Sequence, residues 1–162
     1  MNVAYFEPIF GLSGDMLLSA FLDLGLPLSH LQNELEKVVP SPFTISTEIK
    51  VEQGVKATKL SLVIEKTAKL RNSSEIKDIL SSSGLSENVI KRSVSAFDRL
   101  AQVEAKIHNI DKEFVHFHEL GAVDTIIDIV GFFIALDFFS IDKIYVSKIP
   151  IGTGFIDTQH GK

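Results

Sequence analysis

The sequence predicts an α/β or α+β domain: a small mixed sheet containing an antiparallel pair, covered by helices. Three observations lead there. Apolar residues recur at helical spacing in several separate stretches. Between residues 43 and 64 the period drops from 3.6 to 2. Short β-rich runs stand near both ends of the chain, one at Asn2–Phe6 and one at Ile144–Ile149.

Asn2–Phe6, with Val, Tyr and Phe, predicts a strand that Pro8, Gly11 and Gly14 turn into a loop. Ser13 or Asp15 can cap a helix over Met16–Leu24, which Gly25 and Pro27 end. A second helix is expected over Ser29–Val39. Ser29 would be its cap, Leu28, Leu31, Leu35 and Val38 its stripe, and Pro40 and Pro42 its stop. Phe43, Ile45, Thr47, Ile49 and Val51 alternate with polar residues, as do Leu60, Leu62 and Ile64. Gln53-Gly54-Val55 between them reads as an antiparallel turn or bulge. Helical spacing returns over Ser73–Ser83 and Ser86–Ile110, joined by a serine-rich turn ending at Gly84. Phe114–His118 reads as extended, Asp124–Phe139 as a buried helix and Ile144–Ile149 as the closing strand. Phe132, Phe133, Phe138 and Phe139 are expected in the core rather than on a binding platform.

Composition narrows the function. The 162 residues carry no Cys, which excludes disulfides, zinc fingers, iron–sulfur clusters and thiol nucleophiles. A hydrophobic fraction of 45% with a net charge of −5 excludes intrinsic disorder. Split along the chain, the charge is −4 over residues 1–40, +2 over 41–114 and −3 over 115–162. No segment supplies the basic face that nucleic acid requires. No signal peptide is visible. The most apolar window, Ile126–Phe139, contains Asp128 and Asp137 and is shorter than the ~20 residues of a spanning helix. A cytoplasmic location without membrane contact is expected. Residues 1–162 read as one domain. The loop-like end from Gly152 to Lys162 reads as the opening of a longer architecture whose C-terminal half is absent.

Three groups of residues have the chemistry of a site. Gly11-Leu-Ser13-Gly14-Asp15 lies between a strand and a helix. Its glycines permit a tight turn, and a helix start attracts an anion such as phosphate, while Asp15 can orient a substrate or hold a cation. It is neither a Walker loop nor GxGxxG, and a plain capped turn is the simpler reading. In the second group, His116 and His118 are two apart in an extended segment and share a face. Asp124 and Asp128 share a face of the following helix, with Glu119 at the junction. Imidazole with carboxylate suits nickel, zinc, manganese or iron, whereas two carboxylates on an apolar helix are costly unless paired. Local capping and ordinary histidines are the alternative. The third group, Gly152 and Gly154 with His160 and Gly161, permits close backbone approach to a ligand or is a plain loop. His30 and His108 receive no role.

Read together, Tyr5–Met16, His116–Gly131 and Gly152–Phe155 with His160-Gly161 resemble the LarC family of nickel-insertion proteins, in the family's order and across nearly the whole chain. The resemblance implies insertion of nickel into a pyridinium bisthiocarboxylic acid mononucleotide, forming a carbon–nickel bond in a CTP-dependent, lyase-type step. It implies CTP and a second divalent metal in the C-terminal part of the family architecture. Within that reading, the spacing of the motifs makes Asp15 the expected catalytic residue, and Gly11, Ser13, Gly14, Gly152 and Gly154 are expected to bind the substrate or its phosphate. His116, His118, Glu119, Asp124 and Asp128 are the expected metal-facing residues. The chain departs from the family pattern at Glu7, usually Asp, and at Phe10, usually a small residue. Two other readings stand beside this one. The chain can be a non-catalytic half that docks a C-terminal partner chain or self-associates through an apolar patch near Gly152–Lys162. It can also be a metal-dependent hydrolase using Asp15 and His118.

Overall fold

A computed structural model describes residues 1–9, 11–39, 41–64, 72–112, 115, 123–150 and 152–155. In chain order the elements are β1 (Asn2–Phe6), α1 (Gly14–Asp23), α2 (Leu28–Glu36), β2 (Phe43–Glu52), β3 (Val55–Ile64), α3 (Ser73–Ser82), α4 (Glu87–His108), α5 (Val123–Phe138) and β4 (Ile141–Val146). The mixed α/β class holds, and among the described residues the strands form two two-stranded sheets, β1 with β4 and β2 with β3.

β2 and β3 pair antiparallel from Phe43↔Ile64 to Glu52↔Val55. Gln53 (φ 50°) and Gly54 (φ 83°) both take positive φ at the two-residue turn, as a hairpin matching the strands' twist requires. Only one end of this hairpin enters the core: Ile45 and Leu60 are buried, whereas Ile49, Val51 and Val55 are exposed. β1 pairs parallel with β4, from Asn2↔Ile141 to Phe6↔Val146.

α5 is the centre of the fold. It is apolar nearly all round, as a helix covered on several sides must be, and packs against α1, α2 and α4. Its Ile127, Val130, Ile134 and Leu136 join Leu18 and Phe21 of α1, Leu31 and Leu35 of α2, Ile76 and Leu80 of α3, and Phe97 of α4 in one buried cluster. Phe6, Phe21 and Phe132 meet with ring centroids 5.9–6.1 Å apart, and Phe139 stacks on Phe21. Phe138 departs from the core expectation. It is 44% exposed, with its ring 5.2 Å from that of His30.

Some boundaries differ from the sequence reading. α1 begins at Gly14, two residues before Met16, because the Leu17 N–H already donates to the Ser13 carbonyl. Ser29 is not the cap of α2. The N–H groups of His30 and Leu31 both donate to Pro27 O, which puts the cap at Pro27 and Ser29 inside the first turn. β4 starts at Ile141 rather than Ile144. Asp142 and Lys143 look like loop residues, but the strand is exposed, so its polarity is no obstacle to pairing with β1. Asp142 Oδ2 even accepts from the Asn2 N–H at 2.7 Å. No helix among the described residues is long and apolar enough to cross a membrane. The expected extended segment at Phe114–His118 lies outside the described residues except for Val115, which is buried.

Candidate functional site

The parallel pairing of β1 with β4 gathers the predicted groups at one end of the molecule. Both strands finish at the same edge, where the Ser147 N–H donates to Phe6 O at 2.9 Å. The loop to Gly11 and Gly14 and the segment to Gly152 and Gly154 therefore leave from that edge. α5 reaches β4 through the tight turn at Phe139-Ser140, so its first turns, with Asp124 and Asp128, return to the same end. The space beyond the carboxyl ends of parallel strands is where α/β folds place ligands.

Here α1 runs directly onto α5. A Cβ on Gly14 would overlap the Cβ, Cγ and Oδ2 of Asp128, so only glycine permits the helix start to lie against that carboxylate. Ser13 occupies the cap position of α1, yet its hydroxyl does not cap the helix. It donates instead to Asp15 Oδ1, which also accepts from the Met16 N–H at 2.9 Å. Asp124 Oδ1 accepts from the Thr125 N–H at 2.8 Å, and both Asp15 and Asp124 are exposed to solvent. Asp128 is half-buried. Loss of water, followed by the charges of Asp15 and then Asp124, pushes its carboxyl up to about 6. Asp15, Asp124 and Asp128 thus form one electrostatic unit, drawn from two motifs that are more than a hundred residues apart. Burial and the charges of Asp15 and Asp124 make ionised Asp128 costly, a cost that a cation beside its carboxylate would offset.

Of the other predicted residues, Gly11 (φ 110°) and Gly154 (φ 121°) take the backbone conformation that favours glycine. Gly152 and Gly154 are exposed, with open space where a side chain would stand. His116, His118 and Glu119, like His160 and Gly161, lie outside the described residues. Among the described residues, no group of three or more His, Asp and Glu side chains is placed to hold a metal ion. Glu7 is exposed, and Phe10 lies outside the described residues. Sequence reasoning placed Asp15 in one group and Asp124 with Asp128 in another. It missed their union because the contact that joins them runs through Gly14, which reads locally as a turn residue.

Residues 4–162 match the family model described as nickel insertion protein. The chain is 38% identical over 161 residues to a putative nickel insertion protein of Dictyoglomus thermophilum, with 99% of this chain and 42% of the relative covered. It is 40% identical to a putative nickel insertion protein of Syntrophobacter fumaroxidans, covering 99% of this chain and 41% of that relative. It is also 40% identical over 171 residues to the pyridinium-3,5-bisthiocarboxylic acid mononucleotide nickel insertion protein of Acetivibrio thermocellus, covering 100% of this chain and 42% of that protein. The chain thus spans about two-fifths of the length of these curated relatives. No solved structure matches it.

Proposed function

The chain belongs to the nickel insertion protein family, and from that membership we propose that it takes part in inserting nickel into a pyridinium bisthiocarboxylic acid mononucleotide. The observation that carries this reading is the convergence of Asp15, Asp124 and Asp128 where Gly14 lets α1 meet α5. Nickel is the substrate ion, and carboxylate with imidazole is a donor set that it accepts. In this proposal Asp124 and Asp128 face the metal together with His116, His118 and Glu119. Gly11, Ser13 and Gly14, with Gly152 and Gly154, lie along the mononucleotide. Forming a carbon–nickel bond replaces a carbon–hydrogen bond and releases a proton, and Asp15, at the exposed side of the cluster, accepts it. The lyase-type CTP step and a second divalent metal belong to the portion of the relatives that this chain does not match. The carboxylate cluster, which repels a triphosphate, suits that division. A cytoplasmic setting fits a cofactor-building protein.

Nickel titration by calorimetry on the purified chain tests the reading, with zinc, manganese and magnesium alongside. The expected result is saturable nickel binding that Asp128→Asn and a His116→Ala/His118→Ala variant each weaken at least about tenfold. Nickel binding that both variants leave intact would overturn the assignment. A second reading, a half that docks another chain or a second copy, draws on the exposed apolar side chains Ile149 and Phe155 in the segment beyond β4. It predicts self-association of the isolated chain and no metal binding.

A further inference from the structure

α4 has two faces of opposite character. Val89, Ser93, Phe97 and Ala101 are buried against the core. On the other side Asn88, Arg92, Ser95, Arg99, Gln102 and Lys106 recur at alternating steps of four and three, which keeps them on one stripe, with Lys91 at its flank. The helix carries four Lys and Arg against three acids, so its charge balance hides this segregation. The acids stand off the stripe. Asp98 pairs with Lys77 and Lys112, Glu104 Oε2 lies 3.2 Å from His108 Nε2, and Glu87 is in the first turn. Among the described residues, the side chains of Lys91, Arg92, Arg99 and Lys106 form no ion pair or hydrogen bond.

Between α4 and α5 the stripe lines a groove of about 640 Å³, where Asn88, Lys91, Arg92, Ser95 and Arg99 stand beside Phe133 of α5. One carboxylate bonds to a lining residue: Asp137 accepts from Asn88 Nδ2 at 2.8 Å and from Ser86 Oγ at 2.9 Å. The three cations stay uncompensated, on a chain whose net charge is −5, and so attract negative charge from outside. The residue types narrow the partner. The chain has thirteen Lys but three Arg, and two of the three Arg stand in this groove. Guanidinium groups bind carboxylates in bidentate pairs, and protein interfaces favour Arg and aromatic residues over Lys. From Asn88 to Arg99 the row is about 16 Å long, more than one small anion spans. Steps of four and three are the steps at which a helix lying along α4 meets it turn by turn. Phe133, half-buried, adds an apolar contact within the groove. A nucleic-acid strand would run on over a molecule of net negative charge, whereas a short acidic helix ends with the row.

We infer that the groove between α4 and α5 is a docking site for an acidic helical segment of a partner protein. The inference draws on these two helices alone and does not depend on the nickel reading. The test is fluorescence anisotropy with the purified chain at low ionic strength. The probe is a labelled helical peptide of about 20 residues with Glu at the first and fourth positions of each heptad. Its Gln counterpart and a single-stranded DNA of similar length are titrated beside it. The variants Arg92→Ala/Arg99→Ala and, as a control on the exposed hairpin, Lys56→Ala are run in parallel, with circular dichroism to confirm their fold. Saturable binding of the Glu peptide is expected, weakened about tenfold in the double Arg variant, the loss of two exposed ion pairs, and less than about twofold in Lys56→Ala. Absence of saturable binding below about 1 mM would overturn the inference, as would equal binding of the Gln peptide. Equal losses in the two variants would overturn it too, marking general charge attraction. Tighter binding of the DNA than of the peptide would overturn it in favour of a nucleic-acid strand.

Discussion

Replacing Asp128 with Asn should make the metal-free protein more stable, and by an amount that depends on pH. The folded-state carboxyl lies at about 6, against an ordinary value of 3.8. A raised acid binds more protons folded than unfolded, so its penalty is absent at low pH and grows as pH rises through the window between those two values. Fully expressed, the difference corresponds to about 3 kcal/mol. Asp128 is only half-buried, so solvent screening brings the expected gain at pH 7.5 to about 1.5–3 kcal/mol. At pH 4.5 most of the penalty has not yet developed, and the gain falls to roughly a third of that. Asn keeps the shape of the side chain lying against Gly14, which isolates the charge. Urea denaturation at both pH values measures it. In a chain of this size the gain at pH 7.5 amounts to roughly 3–12 °C in Tm. An equal effect of Asp128→Asn at the two pH values, or a loss of stability at pH 7.5, would refute the electrostatic account of the cluster.

Three other substitutions probe the fold. Gly14→Ala should cost about 1–3 kcal/mol in denaturant melts, because the new Cβ meets the Cβ as well as the carboxylate of Asp128 and no side-chain rotation clears it. Ser93, wholly buried on α4 with an unpartnered hydroxyl, should gain about 0.5–2 kcal/mol on conversion to Ala, read as a rise in thermal midpoint. Gln53→Asn should add a few tenths to about 1 kcal/mol, since φ of 50° in the hairpin turn suits Asn better than Gln; an unchanged midpoint would argue against strain there.

What the sequence disclosed and what it hid follow from the range of the interactions involved. Periodicity found α4 and the β2–β3 hairpin because both are set by neighbours close in sequence, and Gln53-Gly54 marked the turn correctly. The first strand was legible for the same reason. β4 was misplaced by three residues because its definition comes from β1, far away in the chain, and its own Asp142 and Lys143 argue locally for a loop. At the site, Asp15, Asp124 and Asp128 were each identifiable as chemistry-bearing residues. The push of Asp15 and Asp124 on Asp128 was not, since Asp15 reaches it only because α1 approaches α5 so closely, a distance set by the missing side chain of Gly14.

The pairing of β1 with β4 also sets a timetable for assembly. Asn2 bonds to Asp142 across 140 residues, whereas β2 and β3 need only close the turn at Gln53-Gly54. Each doubling of a closed loop costs about 0.6 kcal/mol of chain entropy, so the long closure carries roughly 3–4 kcal/mol more than the short one. A hairpin forms in about 1–10 μs, and the long-range closure of β1 on β4 is the slower event. Until then β1 and β4 travel as unpaired strands bearing Val3, Tyr5, Tyr145 and Val146, the kind of segment through which partly folded chains associate. Asp142 and Lys143, the charges that disguise β4 as a loop, stand at the head of that strand and act as gatekeepers during the interval.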